Sequence, residues 1–382
     1  MPPSIHRQIA IMLHIMQQVV LLLACIDYHN KIRGKRNLLR CSIVMPDQSA
    51  WGHLYENADS HSFTLMTGLS RDVFQMLMDT LSSGSTWSIH RTGRPHSLSP
   101  SAELGLFLFY IGSTMTLKHL CLIFGTTPAV CSRSLKKMLK AIPCALRRHQ
   151  FAKVEFPDER KMVEWAQMIE RREPMATDVI GFMDGLSLHS ECNSDTYEQN
   201  AMYNGYHSDT MVNNVFAYGA DGKVFLCGLN FPGSCHDGSI TANLLPIIIE
   251  KIGSFKICVD QGFPRSGDAD GILVGPYSQR SAARLSPILR PYLLKLSNAY
   301  VSLRQASEWG MRGLQGSFPR FKRRLPGNKK KRKYIIQSIV FIHNFRTHLM
   351  GCNQIKTVFD QEYERVITLN GNDRISRFYF TM

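Results

Sequence analysis

The feature that most constrains the fold is a pair of apolar segments at residues 212–231, VNNVFAYGADGKVFLCGLNF, joined by Ala-Asp-Gly at 220–222. Asp and Gly between two apolar runs are typical of a β-hairpin turn. The segment VIGFMDGLSL at 179–188 predicts an earlier strand with Asp184 at its end. A chain with this pattern must build a sheet and cover its apolar faces with other elements.

Four further segments complete the pattern, in the order helix, strand, helix and helix: 239–252, 255–263, 280–316 with breaks at Pro287 and Pro291, and 334–350. The short buried strand FKICVDQGF ends at Asp260. Strands that alternate with helices indicate an α/β domain over 175–350. The last residues, 351–382, are predicted to be a C-terminal tail.

The region before this domain, 61–150, is predicted to be helical. Ser70 and Ser99 stand where N-caps are expected, with Glu103 completing the signal after Ser99. Residues 114–142 predict one helix that stops at Gly125 and a second helix with a basic face formed by Arg133, Lys136, Lys137 and Lys140. This is the outline of a DNA-binding helix-turn-helix, and a plain αα-hairpin remains the alternative.

Residues 1–60 form a poorly defined N-terminal segment that contains an apolar run at 9–26. His14, Gln17 and Gln18 interrupt this run, and a membrane span needs about 20 mostly apolar residues. We expect a buried or amphipathic helix and no membrane partner. A membrane or secretory segment is the alternative.

The chain of 382 residues has a formal net charge of +15, which indicates a polyanionic partner such as nucleic acid or an anionic membrane. Residues 320–333 hold nine basic residues and no acidic one, and six of them are predicted to contact DNA: Lys322, Arg323, Arg324, Lys329, Lys330 and Lys331. A solvated surface gives the same pattern. The ten cysteines form no CxxC motif, which favours reduced thiols over disulfides or zinc ligands.

Three acidic residues point to metal chemistry. Asp184 and Asp260 each close a predicted strand, so neighbouring strands would bring both carboxylates to one edge of the sheet. Glu308 lies on a predicted helix between Arg304 and Arg312 and could supply a third carboxylate. Oxygen ligands of this kind suit Mg²⁺ or Mn²⁺. Each acid taken alone is more often an ordinary solvated residue.

Six sequence elements resemble the DDE-type nuclease domain of PIF/Harbinger transposases, in the order of that family. They are the strand ending at Asp184, YNGYHSDT at 203–210, the Pro-Gly-Ser-x-x-Asp element ending at Asp237, Asp260 in VDQGF, Arg304 with Glu308, and Ile342-His343-Asn344. The resemblance extends over roughly residues 94–350. This chain departs from the family at Tyr206, where a basic residue is usual, and at Arg312, where glycine is common.

The resemblance implies an RNase H-like mixed-sheet nuclease domain, preceded by the helix-turn-helix region. It implies two divalent metal ions, Mg²⁺ or Mn²⁺, held by Asp184, Asp260 and Glu308 as the catalytic triad, with Asp237 as an additional metal ligand. DNA would be the substrate, with a separate Myb-like DNA-binding protein and a second copy of the chain as further partners. The basic run 320–333 fits nuclear import as well as DNA contact.

The sequence therefore predicts a nuclear, metal-dependent DNA endonuclease or transposase, or a domesticated derivative of one. The alternative is a transposase-derived DNA-binding or protein-binding module that keeps the fold and has lost cleavage.

Overall fold

The structure is a computed structural model that describes residues 5–36, 42–84, 87, 97–277, 287–351 and 353–360, with the side chains of the first helix described for 7–30. Most of the predicted C-terminal tail lies outside these residues. Eight α-helices precede the sheet in this part of the chain: α1 Ile5–Arg36, α2 Ala50–Asn57, α3 Ser60–Thr67, α4 Arg71–Ser82, α5 Pro100–Ile111, α6 Leu117–Ile123, α7 Pro128–Leu146 and α8 Glu159–Arg172.

The N-caps predicted for α4 and α5 are confirmed. The Ser70 hydroxyl accepts a hydrogen bond from the backbone N–H of Val73, and the Ser99 hydroxyl accepts one from Ala102. Glu103 lies one position too far along α5 to complete a capping box. Its buried carboxylate instead accepts hydrogen bonds from Trp87 Nε1 at 2.8 Å and from Lys137 Nζ at 2.5 Å.

Helices α6 and α7 follow each other across a short turn in which Gly125 adopts a left-handed conformation with φ 58°. The basic face predicted for α7 is exposed at Arg133, Lys136 and Lys140. Lys137 differs because Glu103, 34 residues earlier in the chain, binds its ammonium group across the helical core. Sequence spacing gave no sign of this ion pair.

The apolar run at 9–26 forms part of α1, and residues 7–30 are all exposed. The prediction that this helix is buried is therefore wrong, and its other form, an amphipathic helix, stays a prediction. Arg7–Asn30 is long and apolar enough to cross a membrane, with a mean hydropathy of 2.3, although a signal sequence meets the same criteria of length and composition. Among the described elements, none buries a side chain of residues 7–30.

The described residues form one six-stranded mixed sheet, with strands β1 Val179–His189, β2 Tyr203–Asn204, β3 Asp209–Gly219, β4 Val224–Pro232, β5 Lys256–Val259 and β6 Leu273–Val274. The strand order is β2-β3-β1-β5-β6, and β4 pairs with β3 as the predicted hairpin. The longest strand, β1, is antiparallel to β3 and parallel to β5. The prediction of an α/β fold with a mixed sheet is confirmed.

Five helices are interspersed with these strands or follow them: α9 Thr196–Met202, α10 Asp237–Ile252, α11 Arg290–Ser317, α12 Lys329–Met350 and α13 Gln354–Phe359. The break predicted at Pro291 is wrong, because α11 begins at Arg290 and a proline in the first helical turn removes no needed hydrogen bond. Pro287 lies in the turn before this helix, and residues 278–286 lie outside the described part. Helix α12 begins at Lys329, so the end of the basic run forms its first turn.

Helix α12 binds strand β4 through Asn344, whose side chain is fully buried. Its carbonyl oxygen accepts a hydrogen bond from the backbone N–H of Val224 at 2.8 Å, and its amide donates to the carbonyl of the same residue at 2.8 Å. One side chain thus satisfies both backbone groups of a residue in β4, as a neighbouring strand would do.

Replacing Asn344 by alanine leaves both Val224 backbone groups without a partner in a buried position. We expect Asn344→Ala to lower the free energy of unfolding by about 2–4 kcal/mol, measured by urea denaturation. Asn243→Ala, on the exposed side of α10, is the matched control and should change it by less than about 0.5 kcal/mol. Equal effects of the two variants would contradict this role.

Candidate active site

Two of the predicted acids lie where strand β5 ends beside β1. The parallel pairing of β1 with β5 runs as far as Met183 opposite Val259. Asp184 and Asp260 are the residues that directly follow this last pair. The prediction that Asp184 ends its strand is wrong, since β1 continues to His189 in its pairing with β3. The prediction that both carboxylates share one edge agrees with this register, because Asp184 is the point where β1 loses its parallel neighbour.

The third acid, Asp237, reaches the same place from the first turn of α10. An acidic residue is favourable there because the N-terminal end of a helix is electropositive. Its carboxylate lies against the backbone of Gly185, so close that a Cβ atom on Gly185 would collide with both carboxylate oxygens. The glycine after Asp184 is therefore what allows Asp237 to approach β1.

The three aspartates influence one another electrostatically. Burial raises the pKa of Asp184 to about 6, and the negative charges of Asp260 and Asp237 add to this effect. Burial also raises the pKa of Asp237, which nearby His236 opposes and Asp260 reinforces. Asp260 thus acts on the pKa of both Asp184 and Asp237, in the direction expected for a neighbouring like charge.

One short hydrogen bond orients the Asp184 carboxylate, whose Oδ1 accepts from the backbone N–H of Gly185 at 2.7 Å. The hydroxyl of Ser307 on α11 lies 3.4 Å from Oδ2, which is a weak contact because this hydroxyl donates its single proton to the carbonyl of Arg304 at 2.7 Å. Ser307 is buried, with 1% of its surface exposed. Sequence reasoning missed this residue, and its position directly before Glu308 was the only available signal.

Glu308 lies on the same helix, but its carboxylate is paired with arginines. Arg304 donates to Asp260 at 3.0 Å and to Glu308 at 3.3 Å, and thus bridges the two acids. Arg312 lies 3.7 Å from the second oxygen of Glu308. The structure therefore brings Asp184, Asp237 and Asp260 together, and it joins Glu308 to them through the guanidinium group of Arg304.

The donor chemistry of this site fits a hard divalent cation, since carboxylate oxygens are the ligands that Mg²⁺ and Mn²⁺ prefer. The positions of the described side chains, however, do not form a metal site in this structure. Within the described ranges, no group of three or more His, Cys, Asp or Glu side chains is placed to hold one metal ion. The Arg304 bridge gives a physical reason, because it draws Asp260 and Glu308 toward a guanidinium group.

The basic residues predicted to contact DNA fall into two groups. Six are exposed and form no ion pair with a described carboxylate: Arg133, Lys136, Lys322, Lys329, Lys330 and Lys331. The other three are engaged within the protein: Lys137 with Glu103, Arg323 with the carbonyl of Thr114, and Arg324 with Asp209 through two hydrogen bonds of 2.9 and 2.8 Å.

The raised pKa of Asp184 makes a prediction about stability. Its ionised form is disfavoured in the folded state, so the folded protein loses stability as pH rises from the ordinary value of 3.8 through about 6. Asp184→Asn removes this loss, and we expect it to raise the free energy of unfolding at pH 7.5 in EDTA by up to about 3 kcal/mol.

At pH 4 the two proteins should differ little, because the wild-type carboxyl is then protonated. Urea denaturation at both pH values provides the measurement, with Asp268→Asn as an exposed control. Destabilisation by Asp184→Asn at pH 7.5 would show that the ionised form of this buried carboxylate is not disfavoured in the folded state.

Residues 183–344 match the model of the DDE superfamily endonuclease family. The matched stretch contains Asp184, Asp237, Asp260 and Glu308, together with the mixed sheet and its helices. No curated protein and no solved structure is significantly similar to the chain. The match supports a DDE transposase-type nuclease.

Proposed function

We propose that this chain is a divalent-metal-dependent DNA endonuclease of the PIF/Harbinger transposase type, with an RNase H-like catalytic domain. The observation that carries the proposal is the convergence of Asp184, Asp237 and Asp260 at the end of β5. These acids come from two strands and one helix, and they lie within the stretch that matches the endonuclease family. The Harbinger assignment rests on the sequence resemblance.

The aspartates would hold the metal ions, and Glu308 would become a further ligand once its ion pair with Arg304 is broken. When bound, divalent ions supply charge stabilisation and an activated water for phosphodiester hydrolysis. The backbone N–H of Gly185 keeps the Asp184 carboxylate in one orientation. Arg304, at the exposed side of the site, is placed to contact a phosphate once it leaves the acids.

The six exposed basic residues would supply salt-sensitive affinity for the DNA backbone. These six residues lie in two regions, the outer face of α7 and the segment 322–331. A nuclear location and a separate Myb-like DNA-binding partner follow from the resemblance and from this basic segment. A second copy of the chain is a further partner in the proposal.

Cleavage of supercoiled plasmid with Mg²⁺ or Mn²⁺ tests the proposal. We expect the wild-type chain to nick the plasmid, and Asp184→Ala and Asp260→Ala to reduce nicking by at least about a hundredfold, as expected when a group that stabilises the transition state is removed. Asp268→Ala, an exposed aspartate outside the site, should cleave normally. If wild type and both site variants are equally inert while all of them bind DNA, the chain is a binding protein.

That second candidate, a transposase-derived DNA-binding module without cleavage, is favoured by one specific observation. Arg304 bridges Asp260 and Glu308, which places an internal cation between two acids assigned to metal binding. A relic could keep this ion pair permanently. A working nuclease must exchange it for metal ions.

The charge of Arg304 distinguishes the two candidates. If the arginine competes with metal, Arg304→Gln should tighten Mg²⁺ or Mn²⁺ binding about tenfold, equivalent to about 1.4 kcal/mol, in a calorimetric titration of the full chain. Arg312→Gln is the control, because Arg312 is 74% exposed and lies farther from the carboxylate. Undetectable metal binding in both wild type and Arg304→Gln would favour the relic. Weaker binding in Arg304→Gln would show that the arginine positions Asp260.

A further inference from the structure

The segment that runs from α9 through β2 to the loop before β3 carries three exposed aromatic rings, and Tyr206 lies in that loop. Tyr197, Tyr203 and Tyr206 lie within ten residues and are 85%, 49% and 92% exposed. Tyr206 is the most exposed large hydrophobic side chain in the described part of the protein. Single exposed apolar side chains are ordinary, but a cluster of aromatic rings on one segment indicates a binding surface.

The backbone of this loop is fixed by hydrogen bonds. The side-chain oxygen of Asn204 accepts from the backbone N–H groups of Tyr206 at 3.0 Å and of His207 at 3.2 Å. The ring of His207 meets the ring of Tyr206 edge-on, with centroids 5.0 Å apart. The exposed phenol ring therefore projects from a defined turn, which lowers the entropy cost of a contact with a ligand.

The same asparagine connects the loop to the candidate active site. The amide of Asn204 donates to the carbonyl of Gly233 at 2.9 Å, in the turn that leads to Asp237. Asn213 donates to the same carbonyl at 3.2 Å and to that of Cys235 at 2.7 Å. The aromatic loop and the segment that carries Asp237 thus form one hydrogen-bonded unit.

The composition of the loop determines which part of a nucleic acid it suits. Residues 203–208 contain no lysine or arginine, so the loop lacks the side chains that bind phosphate well. Aromatic rings instead stack on nucleobases, which have two π-faces whatever their identity. In a paired duplex those faces are covered by neighbouring bases, so only an unpaired base is available to Tyr206.

We propose that Tyr206 is a stacking site for an unpaired DNA base beside the cleavage site. The inference rests on the proposed nuclease function and names its substrate as DNA with a single-stranded or locally opened segment. Tyr206 stands where the resembling family has a basic residue, so the preference would distinguish this chain from its relatives.

Binding of the full chain to a labelled single strand, and to the duplex of the same sequence, tests the proposal. EDTA in the buffer prevents cleavage, so the result does not depend on catalysis. Loss of one base-stacking contact costs about 1–3 kcal/mol, so Tyr206→Ala should weaken single-strand binding by about 5-fold to 140-fold. Duplex binding should change by less than about twofold. Tyr292→Ala, an exposed tyrosine on α11, is the control.

Two further variants separate stacking from other effects. Tyr206→Trp should retain affinity and should show quenched tryptophan fluorescence with the single strand and not with the duplex. Tyr206→Lys should lose the preference for the single strand and gain salt dependence. An unchanged single-strand Kd in Tyr206→Ala, an equal loss on both DNAs, or no quenching in Tyr206→Trp would overturn the proposal.

The outcome is separable from that of the nuclease proposal. A chain that nicks plasmid while Tyr206→Ala binds the single strand normally keeps the nuclease function and loses the stacking site. A chain that never nicks, yet shows the selective loss in Tyr206→Ala, is a single-strand-binding protein.

Discussion

The close approach of Asp237 to Gly185, beside Asp184 and Asp260, is the constraint on which the site depends. Asp184 follows the last paired residue of β1 and β5, and Asp260 follows it on the neighbouring strand. Asp237 joins them only because Gly185 has no side chain. The strand register and the burial of the site thus bring like charges close together. This lowers the stability of the fold unless a cation balances the charges.

Either the guanidinium group of Arg304 or a divalent metal ion can balance these charges. The two would compete for Asp260 and Glu308. Arg304 already neutralises Asp260 and Glu308 from the exposed side of the site. It does not relieve Asp184, whose pKa stays raised to about 6. A divalent ion could relieve all of the acids, provided that Glu308 exchanges partners. In the proposed nuclease, activity would therefore depend on a competition between Arg304 and a metal ion.

Local patterns predicted the elements and the identity of the acids, but not how they meet. Apolar runs and a turn signal were enough to predict the β3–β4 hairpin and the strand before Asp260. They could not predict that β1 would extend past Asp184, because strand length depends on the partner β3. An ion pair between residues far apart in the sequence, such as Lys137 and Glu103, gives no signal in the local sequence pattern. Hydropathy also could not tell whether 9–26 is covered by protein.

A crystal of the full chain soaked in Mn²⁺ would show whether Asp184 and Asp260 bind metal, because manganese can be located by its anomalous scattering. We expect an anomalous peak at coordination distance, about 2 Å, from carboxylate oxygens of both residues. The side chain of Arg304 should move away from Asp260 in the same crystal. An occupied manganese position elsewhere, with Arg304 still bridging Asp260 and Glu308, would contradict the assignment of this site as a metal centre.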